Sequence, residues 1–252
     1  MRKHSMLFST ICIVILLSTS QLTFAQLPIS LSGSVGGGLL LPQSSNLKGD
    51  ITSSYDYPLS KTGYDINGKI RLGLPVLPFA IIGTVSYNSL SDNAVLPVAT
   101  TSGNVDSKFN TSLSLLSVGV GIEYTFLPTP IIKPYIGANV VMNFISGNEK
   151  YDNNIIPEAK LNSTSRLGLD LGVGTLIDIP VLPFSLDVEA KYRFANLSGK
   201  KFVDYYGIPG FGGISQTPTY NLNDAKNPND PKDHDRSINY FTITLGLTFI
   251  IL

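Results

Sequence analysis

The chain contains no tryptophan, one cysteine and two histidines in 252 residues. Charged residues are only 14% of it, and their formal sum is +0. Nothing in that balance points to a polyanionic partner. There is no phosphate-binding P-loop, no dinucleotide-binding glycine fingerprint and no cysteine cluster, and nothing reads as nucleic-acid binding. Long apolar runs are missing too. After residue 25 no stretch approaches the ~20 apolar residues a spanning helix needs.

What is present begins with the N-terminus, "MRKHSMLFSTICIVILLSTSQLTFAQ". Arg2 and Lys3 precede an apolar run from Ile11 to Leu17 and a small-residue exit at Ala25. That layout predicts a signal peptide over 1–25, cleaved after Ala25, and a single mature domain over 26–252. Its run is too short for a membrane anchor, and Cys12 lies too early in it, behind the bulky Ile11, for lipoprotein processing. Removing the segment takes away Cys12, so no disulfide or thiol chemistry remains. It also removes Arg2 and Lys3 from the 18 basic residues, which leaves 16 against 18 acidic ones.

The mature sequence alternates with period two, the signature of strands with two unlike faces. In "LLSVGVGIEYTF", Leu116, Val118, Val120, Ile122, Tyr124 and Phe126 oppose Ser117, Gly119, Gly121, Glu123 and Thr125. "RLGLDLGVGTLID" (166–178), "SLDVEAKYRF" (185–194) and "NYFTITLGLTF" (239–249) repeat the pattern. Noisier alternation marks Ile29–Leu41, Tyr64–Leu74, Pro78–Asn88 and Pro134–Ile145. Eight strands result, close to the ~9–11 residues that cross hydrocarbon at a tilt.

Their connections are unequal. Strands two–three, four–five and six–seven are joined by "PVLP", "LPTPIIKP" and "IPVLP". The other connections are long polar loops near 42–63, 89–111, 146–163 and 197–237. Proline cannot donate to a ladder and collects where pairing ends. The two copies of "PVLPF", at Pro75–Phe79 and Pro180–Phe184, therefore read as tight turns leading into strands rather than as ligands for another protein. Short turns on one rim and long loops on the other predict an all-β, eight-stranded antiparallel transmembrane barrel with short periplasmic turns and long extracellular loops.

Alternation alone leaves open which face is outside, since a soluble lipocalin-like barrel would put its apolar rows inward. The polar rows are rich in glycine and serine, which suits a confined lumen. Aromatics stand near strand ends as two girdles: Phe79, Phe126 and Phe184 by the short turns, and Tyr64, Tyr87, Phe144, Phe194 and Phe241 by the loops. The polar rows also carry Lys69, Arg71, Arg166, Lys191 and Arg193 against Asp65, Glu123, Asp170, Asp178, Asp187 and Glu189. An eight-stranded interior is just wide enough to be filled by side chains. Opposite charges there are expected to pair and plug the lumen; the alternative is a narrow path for small solutes.

The chain thus resembles the small eight-stranded outer-membrane barrels, of the OmpX type and of the N-terminal transmembrane domain of OmpA-type proteins. "TLGLTF" is similar to the C-terminal signal read by the barrel-assembly machinery of Gram-negative bacteria, with Thr244, Gly246, Leu247 and Phe249 in the matching places. It departs from the pattern in placing Ile250, Ile251 and Leu252 after the aromatic. The resemblance implies a monomer in the outer membrane, with lipid and the assembly machinery as partners, and no cofactor.

Other chemistry is weakly supported. Outer-membrane lipid hydrolases use serine and histidine, and here His234 stands three residues before Ser237 amid Pro, Asn and Asp; a solvated loop histidine is the plainer reading. Asp224, Asn227, Asn229, Asp230, Asp233 and Asp235 supply oxygens for Ca²⁺, but their spacing fits no EF-hand loop. "DYYGIPGFGG" exposes Tyr205, Tyr206 and Phe211 among glycines, either as a recognition patch for an extracellular ligand or packed on the rim. The expectation is a non-enzymatic surface protein serving envelope integrity or adhesion.

Overall fold

The computed structural model describes residues 29–43, 61–73, 77–100, 103–126, 129–152, 159–198, 204–205, 219–220 and 237–251. The segment expected to be a signal peptide lies outside these residues. So do His234, the Asp/Asn-rich run, Tyr206 and Phe211.

Eight long strands form the body: β1 (Ser30–Pro42), β2 (Gly63–Gly73), β3 (Phe79–Thr100), β4 (Gly103–Thr125), β5 (Ile132–Tyr151), β6 (Ala159–Asp178), β7 (Phe184–Phe194) and β10 (Asn239–Ile250). They pair in the order β5-β4-β3-β2-β1-β10-β7-β6, and β5 pairs with β6 to close the ring. Every pairing is antiparallel. Closure satisfies the backbone donors and acceptors that an open sheet would leave at its edges. Two further strands, β8 (Asp204–Tyr205) and β9 (Thr219–Tyr220), pair with each other, and β8 pairs with β6 at Lys160 and Leu161.

Alternation becomes two surfaces. The outward rows are apolar and open: Val120 is 68% exposed, Val173 58% and Leu245 58%. The inward rows are polar and buried. This is the inverse of a soluble barrel and the arrangement a hydrocarbon solvent requires. The aromatic girdles stand on the outward face as expected. Phe79 packs on Tyr124 with centroids 5.0 Å apart, and Phe184 on Phe249 at 6.0 Å, both at the short-turn rim. At the loop rim Tyr64 lies 6.3 Å from Tyr87.

Both "PVLPF" copies end in the first residue of a strand, Phe79 of β3 and Phe184 of β7. The second copy forms a tight turn in which Leu182 N donates to Ile179 O at 2.9 Å.

Two of the four expected loops are not loops. The spans 89–111 and 146–163 are mostly strand: β3 and β4 pair continuously from Phe79↔Tyr124 to Thr100↔Gly103. β5 and β6 stay paired up to Glu149↔Ala159, past a register shift between Ile145 and Gly147. Along these ribbons the outward row turns polar at Ser91, Asn93, Asn110 and Asn148, while the inward Leu90, Asp92, Thr111 and Leu113 stay buried. An outward face that no longer meets hydrocarbon need not be apolar, so the alternation that marks a membrane strand is lost. Pro97 is accommodated because β3 is an edge there, β2 having paired no further than Tyr64↔Ser89.

Candidate functional site

The inward rows converge on a lumen filled in three tiers. Nearest the short turns, β2 sends Lys69 and Arg71 across the barrel to β4 and β7. Lys69 Nζ lies 2.6 Å from Glu123 Oε1 and 2.8 Å from Glu189 Oε1. Arg71 Nε is 2.6 Å from Glu123 Oε2, and its Nη2 is 2.5 Å from Asp187 Oδ2. Lys191 Nζ reaches the other oxygen of Glu189 at 2.8 Å. Tyr135 of β5 donates from Oη to Asp187 Oδ1 at 2.6 Å, and its ring carries Lys69 Nζ at 4.9 Å and the Arg71 guanidinium at 5.3 Å. Arg71 Nη1 also donates to Ser34 Oγ on β1.

The middle tier is organised by Arg193 of β7. It stands 3.6 Å from Asp65 Oδ1 and 3.5 Å from Asp170 Oδ2, and donates from Nη1 to Ser86 Oγ at 2.7 Å. Its guanidinium lies 5.9 Å from the centre of the Tyr240 ring. Asp65 also accepts from Asn67 Nδ2 at 2.5 Å. Across both tiers, Asp65, Glu123, Asp170, Asp187 and Glu189 face Lys69, Arg71, Lys191 and Arg193, all buried. Single buried ions are costly, but each of these five carboxylates and four cations meets at least one opposite charge, which offsets the cost of burial.

The third tier is apolar. Leu40, Leu90, Leu113, Leu115, Ile145, Ile238 and Tyr240 pack into a fully buried cluster. Register places it on the loop side of the charges, since Leu115 is paired with Asn88 and Ile145, two residues beyond Ser117. Asn143 Nδ2 donates to Ala195 O at 2.7 Å, and Ile238 N to Asn196 Oδ1 at 2.7 Å, tying the cluster to the end of β7. An apolar constriction opposes ion passage by dewetting.

Glycine makes room for the large lumen groups. A Cβ on Gly174 would overlap the ring of Tyr135, and one on Gly172 would come within 2.9 Å of Lys191 Cγ.

Of the lumen charges expected from sequence, nine form the two ionic tiers. Arg166 sits beyond them, paired in register with Asn143, and its Nη1 donates to Ser165 O at 2.9 Å. Asp178 lies at the short-turn rim, 2.5 Å from Lys133 Nζ and accepting from Ser185 Oγ at 2.5 Å. Tyr135, Tyr240, Lys133 and the apolar seal were not anticipated. A signal for the seal exists in the sequence: Leu39–Leu40–Leu41 and Leu115–Leu116 put apolar residues on both faces at once. The C-terminal hexapeptide lies within β10, with Thr244 buried in the lumen and Phe249 on the outside opposite Gly33 and Phe184. Ile250 continues the strand opposite Ser32, and Ile251 N donates to Leu31 O at 2.8 Å. Tyr205 contributes its backbone to β8.

An apolar exterior around a filled ionic interior defines a small integral-membrane β-barrel of the eight-stranded outer-membrane type. The chain matches no family model and no curated protein. Among solved structures it is similar to a major outer membrane protein from Thermus thermophilus, with TM-score 0.53 and 16% identity over 89% of this chain and 100% of that one. Neisserial surface protein A matches with TM-score 0.42 and 14% identity over 88% and 96%. The attachment invasion locus protein Ail of Yersinia pestis matches with TM-score 0.38 and 14% identity over 88% and 97%. At these identities the likeness is one of fold.

Proposed function

We propose that the protein is a non-enzymatic outer-membrane barrel whose lumen is closed, and whose hairpins and loops face outward to serve envelope integrity or surface interaction. The observation that carries this reading is the double closure of the lumen: the salt-bridged tiers are capped by an apolar seal, and both are buried. In this orientation the short turns face the periplasm. The 1–25 segment directs export and is removed, and Thr244, Gly246, Leu247 and Phe249 present β10 to the assembly machinery. The mature barrel is a monomer surrounded by lipid.

Planar-bilayer recording of the refolded protein tests the closure. The expected record is flat at both polarities. Steady single-channel steps that change size in Arg193→Ala would overturn it in favour of a solute path. Unchanged lipid profiles between cells carrying wild type and His234→Ala are expected of a non-enzymatic barrel.

A further inference from the structure

Where the β3–β4–β5 ribbons leave the ring, they form a cleft of about 480 Å³ beside the end of β2. Ser91, Asn93, Asn110, Ser112, Asn148 and Lys150 line it. Register makes these an ordered array: Ser91 is opposite Ser112 and Asn93 opposite Asn110, while Ser112 is opposite Asn148 and Asn110 opposite Lys150. By strand alternation they continue the outward rows of Tyr87, Leu116 and Phe144, so the cleft begins just beyond the loop-side girdle.

Three features of this array point to a ligand. First, asparagine and aspartate are poor strand formers. Their concentration at facing positions of three neighbouring strands runs against local preference, and such violations gather at functional sites. Second, the array is preorganised. Lys61 Nζ donates to Asn93 Oδ1 at 2.9 Å and pairs with Asp92 Oδ1 at 3.0 Å. Asn110 Nδ2 donates to Asp152 Oδ1 at 3.0 Å, and Ser112 Oγ donates to Asn148 Oδ1. Ordering these side chains before binding lowers the entropy a ligand must offset. Third, the charge is balanced. Lys61 and Lys150 are matched by Asp92 and Asp152 in the same lining.

The balance decides the chemistry. A phosphate or sulfate ligand calls for an excess of cations with forked or convergent donors, and a metal ion for converging carboxylates. Neither is present in this lining. Amides and carboxylates are planar groups that donate or accept at two adjacent atoms, which matches a pair of neighbouring hydroxyls. Asn93 accepts from Lys61 through its oxygen, and its amide nitrogen carries two donors. The volume lies within the ~300–1,000 Å³ of ligand pockets, yet the lining is polar where those of drug-like ligands are mostly apolar.

We propose that this cleft binds a neutral saccharide, two or three sugar units long. The inference deepens the surface-interaction reading and rests on it for its biological meaning, but binding in vitro is independent of orientation in the cell and of lumen closure. Saturation-transfer NMR on the full chain, refolded into a sugar-free detergent, tests it with maltotriose, cellotriose and triacetylchitotriose as probes. Transfer to at least one of them is expected, undiminished by excess inorganic phosphate. It should weaken about five- to tenfold in Asn110→Ala and in Asn148→Ala, the scale of one lost hydrogen bond. Retention of a heat-modifiable band on gels shows that each variant is folded, and the two variants are independent of one another. Repeating the titration in nanodiscs with and without galactosyl diacylglycerol separates sources. A galactolipid that competes identifies a membrane sugar, and one that does not identifies a free glycan. The proposal is overturned by absence of transfer to all three probes, by equal transfer in the folded variants, or by displacement with phosphate. A flat bilayer record alongside absent sugar binding would leave the closed-barrel reading standing and remove this one alone.

Discussion

Tyr135 donates its phenolic hydrogen to Asp187 across the lumen at 2.6 Å, joining β5 to β7 without any shared ladder. The second oxygen of Asp187 is held by Arg71 at 2.5 Å, so one carboxylate links three strands. The barrel wall is made by backbone bonds, whereas contacts of this kind brace it from inside.

Replacing Tyr135 by phenylalanine keeps the ring beneath Lys69 and Arg71 and removes only the hydroxyl. Asp187 then loses one of its charge-assisted bonds. Stability should fall by roughly 1–3 kcal/mol, measured by circular dichroism during urea unfolding in micelles. An unchanged midpoint would show that the Tyr135–Asp187 bond does no bracing.

Glu123 accepts from both Lys69 and Arg71, and Glu123→Leu takes one of two carboxylate partners from each, leaving Lys69 with Glu189 and Arg71 with Asp187. A cost of about 3–5 kcal/mol is expected, the scale for breaking a buried pair. The outward-facing Val120→Leu should stay within roughly 0.5 kcal/mol, as for changes away from packed features. Loss of the heat-modifiable band in the first and its retention in the second is the expected gel result.

Gly174 faces the Tyr135 ring, and any side chain there overlaps it. Gly174→Leu should fail to refold. Tyr135→Ala combined with Gly174→Leu should not recover a folded band, because a Cβ at position 174 would still stand 2.7 Å from the Val188 carbonyl oxygen. Recovery by the pair would show that the Tyr135 ring alone excludes a side chain there.

The seal and the salt bridges close the lumen independently. Leu115→Ala alone should leave bilayer records flat, because Arg193 and the tier below it still fill the passage. Leu90→Ala and Leu115→Ala combined with Arg193→Ala should still give flat records, because the tier of Lys69, Arg71, Glu123 and Asp187 is untouched. Steps in Leu115→Ala alone would place the whole barrier in the apolar tier.

The outward ring of Phe249 packs on Phe184, 6.0 Å away. Phe249→Ala should reduce the amount of protein reaching the outer membrane in cells more than it reduces refolding of the purified chain into micelles. Equal losses in both assays would assign Phe249 to packing rather than to recognition during assembly.

Much of this molecule can be read from residue order. The rows Leu116–Phe126 and Leu167–Ile177 show period two, and their glycine- and serine-rich partners show which face is inside. Inward charges such as Lys69, Arg71 and Glu189 follow by parity. The hairpin extensions do not follow, because Asn93, Asn110 and Lys150 put polar residues on the outward row beyond the apolar stretch, and with polar residues on both rows the period of two disappears. Local parity likewise misses Lys133, which is drawn to the rim by Asp178, 45 residues away in the chain.

By itself the sequence determined the strand number, the inward and outward faces and the unequal rims, since each reflects a local choice between lipid, lumen and turn. Only the tertiary structure decided which charges meet. Glu123, Lys69, Asp187 and Tyr135 come from four different strands, and their encounters depend on how the ring closes from β5 to β6. It also decided that Leu40, Leu90, Leu113 and Ile145 form one seal. They lie singly on inward rows, except Leu113, which precedes Leu115 on the same row, and only the stagger of the closed sheet brings them together.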